Sequence, residues 1–407
     1  MKILKESYGI CFIMMLLTSM LSAQTKFFTG SFTELMAKAQ DEKKPVFIDL
    51  YFTGCMPCKQ MDENVFPKES VAELLNEDFI AYKINVFKEG EKELGLKMMK
   101  KFAITGFPSF LILSPKGQTI NVFGGFQGED NLTAFLKQAL IDYHSGKNLA
   151  YSNSFEINYP SFYKGFFETK KLTVSQAELN QFLEDYEDHM DEISFLTMMK
   201  FVREGAFAKF YLDHLIEFAA MYGKTRVGMS TLQKVSYAKT YAAKSGDMKF
   251  YENFLSNVKT LIPEDKWQGL SVKQYYLPLY EETENIDWLL LKLQNSDSHW
   301  VEISNACGAL INTYKSDQKV LKELLKLYRV GNVDRYSQGD RYKMAAIYLH
   351  LEKYKQAKEH LEGIEEYRGS FGLNEDNIEE LRLAIAEKAQ ETFEVKDVKD
   401  FKPFNFN

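Results

Sequence analysis

The chain has 407 residues, 45% hydrophobic and 26% charged, with nine prolines and four cysteines. This globular composition excludes a disordered or collagen-like polymer, and so few cysteines exclude a disulfide-dense scaffold. A net charge of −7 argues against nucleic acid as the main partner, because a phosphate-binding surface needs a basic excess. At about 100–200 residues per domain, the length predicts two or three domains.

Residues 1–23 read as a secretory signal peptide. Lys2 and Lys5 precede an unbroken apolar run from Ile10 to Leu17, and Thr18 to Ala23 ends on a small residue. Basic, apolar and small segments in this order predict cleavage after Ala23. The alternative is an N-terminal membrane anchor, for which the run is short against a span of about 20 residues. Cys11 lies inside the run, which argues against a lipid-attachment cysteine. Cleavage leaves Cys55, Cys58 and Cys307 in a compartment where thiols tend to be oxidised.

Proline divides the remainder. Five of the nine prolines lie between Pro45 and Pro115, and only Pro263 and Pro278 lie between Ser161 and Lys402. Proline breaks helix interiors, so the first part reads as mixed and the rest as helical. The expected division is a domain over 24–147, a helical domain over 148–390 and a tail over 391–407. The boundary sits in the cluster Gly146, Ser152, Asn153, Ser154 and Pro160.

In chain order, Ser31 and Glu34 form a capping box before a helix to about Lys43. Pro45 to Phe52 is an apolar run of strand length. Gly54 and the segment from Cys55 to Cys58 follow, then a helix to about Val65. Ser70 and Glu73 form a second predicted capping box. Phe79 to Val86 reads as a strand and Lys92 to Phe102 as a helix. Ser109 to Leu113 and Thr119 to Phe123 read as strands joined by the turn Pro115-Lys116-Gly117, and Glu129 to His144 as a closing helix. Strands alternating with helices predict parallel pairing, and the short last connection predicts an antiparallel hairpin.

The C-terminal part predicts amphipathic helices. Ser175 and Glu178 form a capping box, and Leu179, Phe182, Leu183 and Tyr186 share one helical face, as do Leu321, Leu324, Leu325 and Tyr328. Such stripes must pack on neighbours, which predicts helical hairpins or a solenoid. Ala345, Tyr348, Tyr354, Ala357 and Leu361 resemble one tetratricopeptide unit, although Glu352 stands at its usual glycine. No second copy matches as well, so an ordinary helical domain stays open beside a repeat array.

The chemistry-bearing motif is Cys55-Met56-Pro57-Cys58. After a strand and at the start of a helix, unpaired backbone N–H groups and the helix dipole favour the first cysteine as thiolate. That thiolate would attack a substrate disulfide, and the second thiol would resolve the mixed disulfide. A zinc site is the rival for this spacing, but it wants four ligands. The only other cysteine beyond the leader is the distant Cys307, and the six histidines form no pair at metal spacing. An inert structural disulfide is the third reading. Cys307, in an apolar helical setting, reads as packing. Gly223-Lys224-Thr225 lacks the upstream glycine of a phosphate loop, and no dinucleotide fingerprint is present. No metal or cofactor is implied.

Val46 to Phe126 resembles the thioredoxin family, in particular its exported bacterial branch. The resemblance implies an α/β thioredoxin-like fold here, followed by an all-α helical-hairpin or solenoid-like domain. Asp49, six residues before Cys55, matches the buried acid that serves the second cysteine, and Lys83 matches the lysine commonly paired with it. Gly106-Phe107-Pro108-Ser109 matches the loop whose proline is cis and faces the disulfide, and the backbone at Phe107 is expected to pair with substrate. Pro57 is the common family residue before Cys58, and Gly124 and Gly125 match the glycine after the last strand. Two departures, Gly54 for tryptophan and Met56 for glycine, alter the surface around the disulfide. Plainer readings exist: Asp49 as a solvent-facing strand residue, Lys83 as a surface lysine, Pro108 as a turn proline.

The resemblance implies an exported thiol–disulfide oxidoreductase, reductase or isomerase in type, with Cys55 attacking, Cys58 resolving and Asp49 and Lys83 assisting. Met56, Pro57, Phe107 and Pro108 would contact substrate. Its partners would be exported proteins with cysteines or disulfides, and a membrane thiol carrier would supply electrons. The alternative is a non-catalytic binding protein. Its helical domain would hold a protein partner, and its thioredoxin-like domain would serve as a docking or redox-regulated module.

Overall fold

A computed structural model describes residues 24–330, 336–364 and 370–400. The expected signal peptide and positions 401–407 of the expected tail lie outside these residues. The chain divides into two units, the first ending at Ser230 and the second starting at Thr231.

The first unit begins with helix α1 (Phe32–Glu42), started by the predicted capping box. The Ser31 side chain accepts from the Glu34 N–H, and the Glu34 carboxylate accepts from the Ser31 N–H. Then come β1 (Val46–Tyr51), α2 (Met56–Asn64), α3 (Glu69–Glu77), β2 (Ile80–Asn85), α4 (Lys92–Lys101), β3 (Ser109–Leu113), β4 (Thr119–Gly124) and α5 (Glu129–His144). The second predicted capping box does not form. Helix α3 starts two residues earlier, with Lys68 at its N-cap and no side-chain cap, and the Ser70 hydroxyl instead donates to Glu129 on α5.

The sheet order is β2-β1-β3-β4. β1 pairs parallel with β2, and β3 and β4 form the expected antiparallel hairpin. The parallel expectation fails between β1 and β3, which are antiparallel. Alternation of elements gives their order but not the end of the sheet to which α4 returns the chain. It returns to the end where β1 finishes, so Leu50 pairs with Ser109. This brings Pro108 to the sheet end from which the chain runs on to Cys55.

Val46 to Leu50 are all buried, because helices cover both faces of the sheet. On one face Phe47, Phe110 and Ile112 pack with Met61 of α2, Val71 and Leu75 of α3, and Leu132 and Leu136 of α5. Asp49 is two residues from Phe47 and therefore lies on this face.

The same unit continues through α6 (Ser161–Thr169), α7 (Gln176–Glu184), α8 (Glu192–Lys200), α9 (Ala206–Asp213), α10 (Leu215–Tyr222) and α11 (Lys224–Ser230). The capping box at Ser175 and Glu178 forms, and Leu179 and Leu183 are buried as their spacing predicts. Helices α6 and α8 of this segment contact α4. Tyr151 sets its ring against Phe102 at 5.0 Å, and the Tyr163 hydroxyl donates to the Lys100 carbonyl at 2.6 Å. The buried Lys101 ammonium lies 3.1 Å from the Glu192 carboxylate, which also accepts from the Ser152 N–H. The expected boundary at 147/148 falls inside this unit.

The second unit is mostly helical. Leu321, Leu324, Leu325 and Tyr328 are buried on α12 (Gln318–Val330). Helices α13 (Gln338–His350) and α14 (Tyr354–Glu362) form the tetratricopeptide-like hairpin, with Ala345, Tyr348, Ala357 and Leu361 buried. Glu352 takes a left-handed φ of 59° at the usual glycine, a conformation that costs a side-chain-bearing residue more. Cys307 is buried, and burial pushes its thiol up to about 12. No helix among the described residues is long and apolar enough to cross a membrane.

Candidate functional site

Cys55 occupies the N-cap of α2 and Cys58 its first turn, with Pro57 between them where its missing N–H costs nothing. The two sulfurs form a disulfide, and the Cys58 N–H donates to Cys55 Sγ at 3.3 Å. That N–H is one of the unpaired donors of the helix start, so it favours negative charge on the Cys55 sulfur once the pair is reduced. Both cysteines are nearly enclosed, at 5% and 2% exposure, while Thr53, Gly54, Met56 and Pro57 around them are exposed. The chain turns into α2 through Gly54 at φ +94°, a left-handed value that tryptophan would adopt only with strain. This accounts for the first departure from the family pattern.

Asp49 is 1% exposed, which removes its solvent-facing reading. The parallel register sets it opposite Lys83, whose Nζ lies 3.3 Å from Asp49 Oδ2. Among the described residues no hydrogen bond of good geometry reaches either carboxylate oxygen, so the contact is an ion pair only. Burial raises the Asp49 carboxyl to about 7 against the pull of Lys83. A carboxyl in this range exchanges protons near neutral pH.

Lys83 is not a surface lysine. It is 18% exposed, and its ammonium lies over the Tyr51, Phe27 and Phe66 rings at 4.6, 5.1 and 5.4 Å. It also pairs with Asp62 on α2. Burial presses its pKa down, but Asp49 and Asp62 carry it above the ordinary value. A chain of charge thus runs from Asp49 through Lys83 to Asp62, one helical turn beyond Cys58.

The Phe107–Pro108 bond is cis. The loop is fastened on both sides: Ser109 Oγ donates to the Gly106 carbonyl at 2.8 Å, and the Gly125 N–H donates to the Pro108 carbonyl at 2.8 Å. Gly124 allows the close approach, since a Cβ there would sit 3.0 Å from Ser109 Oγ.

Three neighbours escape the sequence reading. Phe52, Phe87 and Phe107 form an aromatic cluster, with ring centroids 5.7, 5.5 and 6.3 Å apart. Phe52 follows β1 and Phe87 follows β2, so parallel neighbours bring them to the same sheet end. Phe87 and Met56 are 53% and 64% exposed, giving the buried disulfide an apolar surround. The third, Asp62, carries a faint signal in its four-residue spacing from Cys58.

Comparison with known proteins covers this segment. Residues 32–140 match a family model described as a thioredoxin-like domain. Human spermatogenesis-associated protein 20 is 31% identical over 104 residues, 25% of this chain and 13% of the relative. The thiol:disulfide interchange protein DsbD of Klebsiella pneumoniae is 27% identical over 108 residues, 26% of this chain and 16% of the relative. The chain thus spans less than a fifth of either relative's length. A solved thioredoxin from Thermus thermophilus is 20% identical, covering 30% of this chain and 92% of that one, with a TM-score of 0.27. The thioredoxin-like domain, the CxxC disulfide and the likeness to a thiol:disulfide interchange protein support thiol–disulfide oxidoreductase chemistry at this pair. The domain formed by residues 32–140 belongs to the thioredoxin family.

Proposed function

We propose that this protein is an exported thiol–disulfide oxidoreductase that reduces or isomerises disulfides of exported proteins. The observation that carries the reading is a CxxC pair at a helix start, beside a cis-proline loop, on the sheet face that holds a buried aspartate with its carboxyl near neutrality. A relative sharing this segment is named a thiol:disulfide interchange protein, which supports the same chemistry. The leader-like residues 1–23 support export, to the periplasm in a Gram-negative source.

In the reduced protein the Cys55 thiolate attacks one sulfur of a substrate disulfide, and the other leaves as a thiolate. Cys58 passes its proton toward Asp49 and attacks the Cys55 sulfur. The substrate thiol is released and the Cys55–Cys58 disulfide closes, so two electrons pass to the substrate. Another thiol donor, a membrane thiol carrier, reduces the pair for the next cycle.

A Cys58→Ser variant tests this. It lacks the resolving thiol, so it accumulates mixed disulfides between Cys55 and exported proteins, seen as reductant-sensitive adducts by mass spectrometry. No adducts, together with a pair that does not exchange with a glutathione buffer, would leave the binding-protein alternative.

A further inference from the structure

The loop leading to Pro108 is touched by a side chain from the helical part of the first unit. Lys200, the last residue of α8, donates from Nζ to Thr105 Oγ1 at 2.5 Å, two residues before Phe107. The same ammonium lies 5.9 Å from the centroid of the Phe166 ring on α6. Three further cations gather around it: Arg203, Arg226 and Lys170, each close enough to oppose its charge. Arg226 comes from α11, which packs on α8, and its buried Nε has no hydrogen-bond partner among the described residues. Lys170 ends α6 and is exposed.

Plainer accounts cover only part of this. Arg203 donates to the Lys200 and Val202 carbonyls, as a cation at the C-terminus of α8 should. The nearby Glu168 carboxylate is turned to Lys100 at 3.5 Å. Among the described residues no carboxylate lies within ion-pair distance of Lys170, Lys200 or Arg226. Cations gathered without a counter-charge oppose one another, and an arriving anion relieves this. Burial is the main cause that pushes Lys200 down to about 8, and Arg226, Arg203 and Lys170 add to it.

We propose that Lys200, Arg226 and Lys170 recognise an acidic side chain of the protein substrate, placed close in sequence to its reacting cysteine. This rests on the reading of Cys55 and Cys58 as an exchange pair. Two residues of extended chain span about 7 Å, so a peptide lying along the backbone at Phe107 carries its neighbouring side chains to Thr105 and Lys200. The helical segment thereby selects among substrates, while the disulfide performs the chemistry. The net charge of −7 repels acidic peptides at long range, so a preference for them has to come from a local site.

The test uses the full chain in its reduced form. Short peptides carry one cysteine capped as a 2-thiopyridyl disulfide, with Asp or Asn scanned over the three positions on either side. Attack by Cys55 on the peptide sulfur releases 2-thiopyridone, which reads the rate. Rates are divided by those of the same peptides with a neutral dithiol. At low salt the best Asp peptide should react about fivefold faster than its Asn counterpart, the scale of one partly exposed ion pair. Lys200→Met and Arg226→Met should each erase most of this ratio, which is taken within each variant and is therefore read apart from any change in its Asn rate. Lys170→Met, at an exposed position, should reduce it and guards against a folding defect in the other two. Equal rates for Asp and Asn at every position overturn the proposal, as does a ratio that survives all three substitutions. If no peptide of either kind reacts, the oxidoreductase reading fails and takes this proposal with it.

Discussion

Asp49 is a carboxyl group that folding has removed from water, and Lys83 offsets only part of that cost. Its carboxyl is raised to about 7 in the folded protein. Between about pH 4 and 7 the folded state holds a proton that the unfolded chain has released, so this group makes stability fall as pH rises. Asp49→Asn removes the dependence. In urea unfolding of the oxidised protein, the variant should gain on the parent from pH 4 to pH 7, by up to roughly 4 kcal/mol. Parallel stability profiles would show that the carboxyl is not held near neutrality. The same variant should resolve mixed disulfides more slowly and lose the rise in rate near pH 7, which stopped-flow measurement reads directly. Cys55 and Cys58 were legible in the sequence from their motif, and Asp49 and Pro108 from the family that the segment resembles. Asp62, Phe52 and Phe87 were not, because each joins the site through the neighbour that folding places beside it.

Helix α4 shows the same limit one level up. Its Lys101 is buried, and its only carboxylate partner among the described residues is Glu192, 91 positions away. Burial lowers the Lys101 pKa, and Glu192 works against that. Glu192 also accepts from the Ser152 N–H and the Tyr159 hydroxyl, so it ties the chain after α5 to α4. Glu192→Ala leaves a buried ammonium unpaired and should cost about 3–5 kcal/mol in chemical denaturation. Adding Lys101→Met should recover most of that loss, since the uncompensated charge is then gone. A small effect of the single change would mean that water reaches Lys101. The sequence predicted a helix at α4 and a mostly helical chain after it; it carried no information on which of their polar residues would meet. The direction of β3 was hidden for a similar reason, since it depends on where α4 delivers the chain.

Over the whole chain, proline distribution separated a mixed segment from a helical one, and both fold types are present. It did not reveal that the helices up to Ser230 share a unit with the thioredoxin-like domain. Composition reports the kind of element, whereas this joint depends on particular contacts: the Tyr151 ring on Phe102 and the Tyr163 hydroxyl donating to the Lys100 carbonyl. A fragment of residues 24–147 should therefore be less stable than one of residues 24–230, by roughly 3 kcal/mol for the apolar surface left open. Equal midpoints and slopes in urea would show that the helices contribute nothing to the domain they touch.

The claim on which the functional reading depends is that Cys55 and Cys58 exchange with thiols and do not merely staple α2. Equilibration of the full chain with a series of thiol–disulfide buffers, followed by acid quenching, alkylation and mass spectrometry, measures this directly. A redox-active pair should change state in one two-electron step, with a potential between about −270 and −120 mV. A pair that stays oxidised below about −300 mV, as structural disulfides of secreted proteins do, would contradict the oxidoreductase reading.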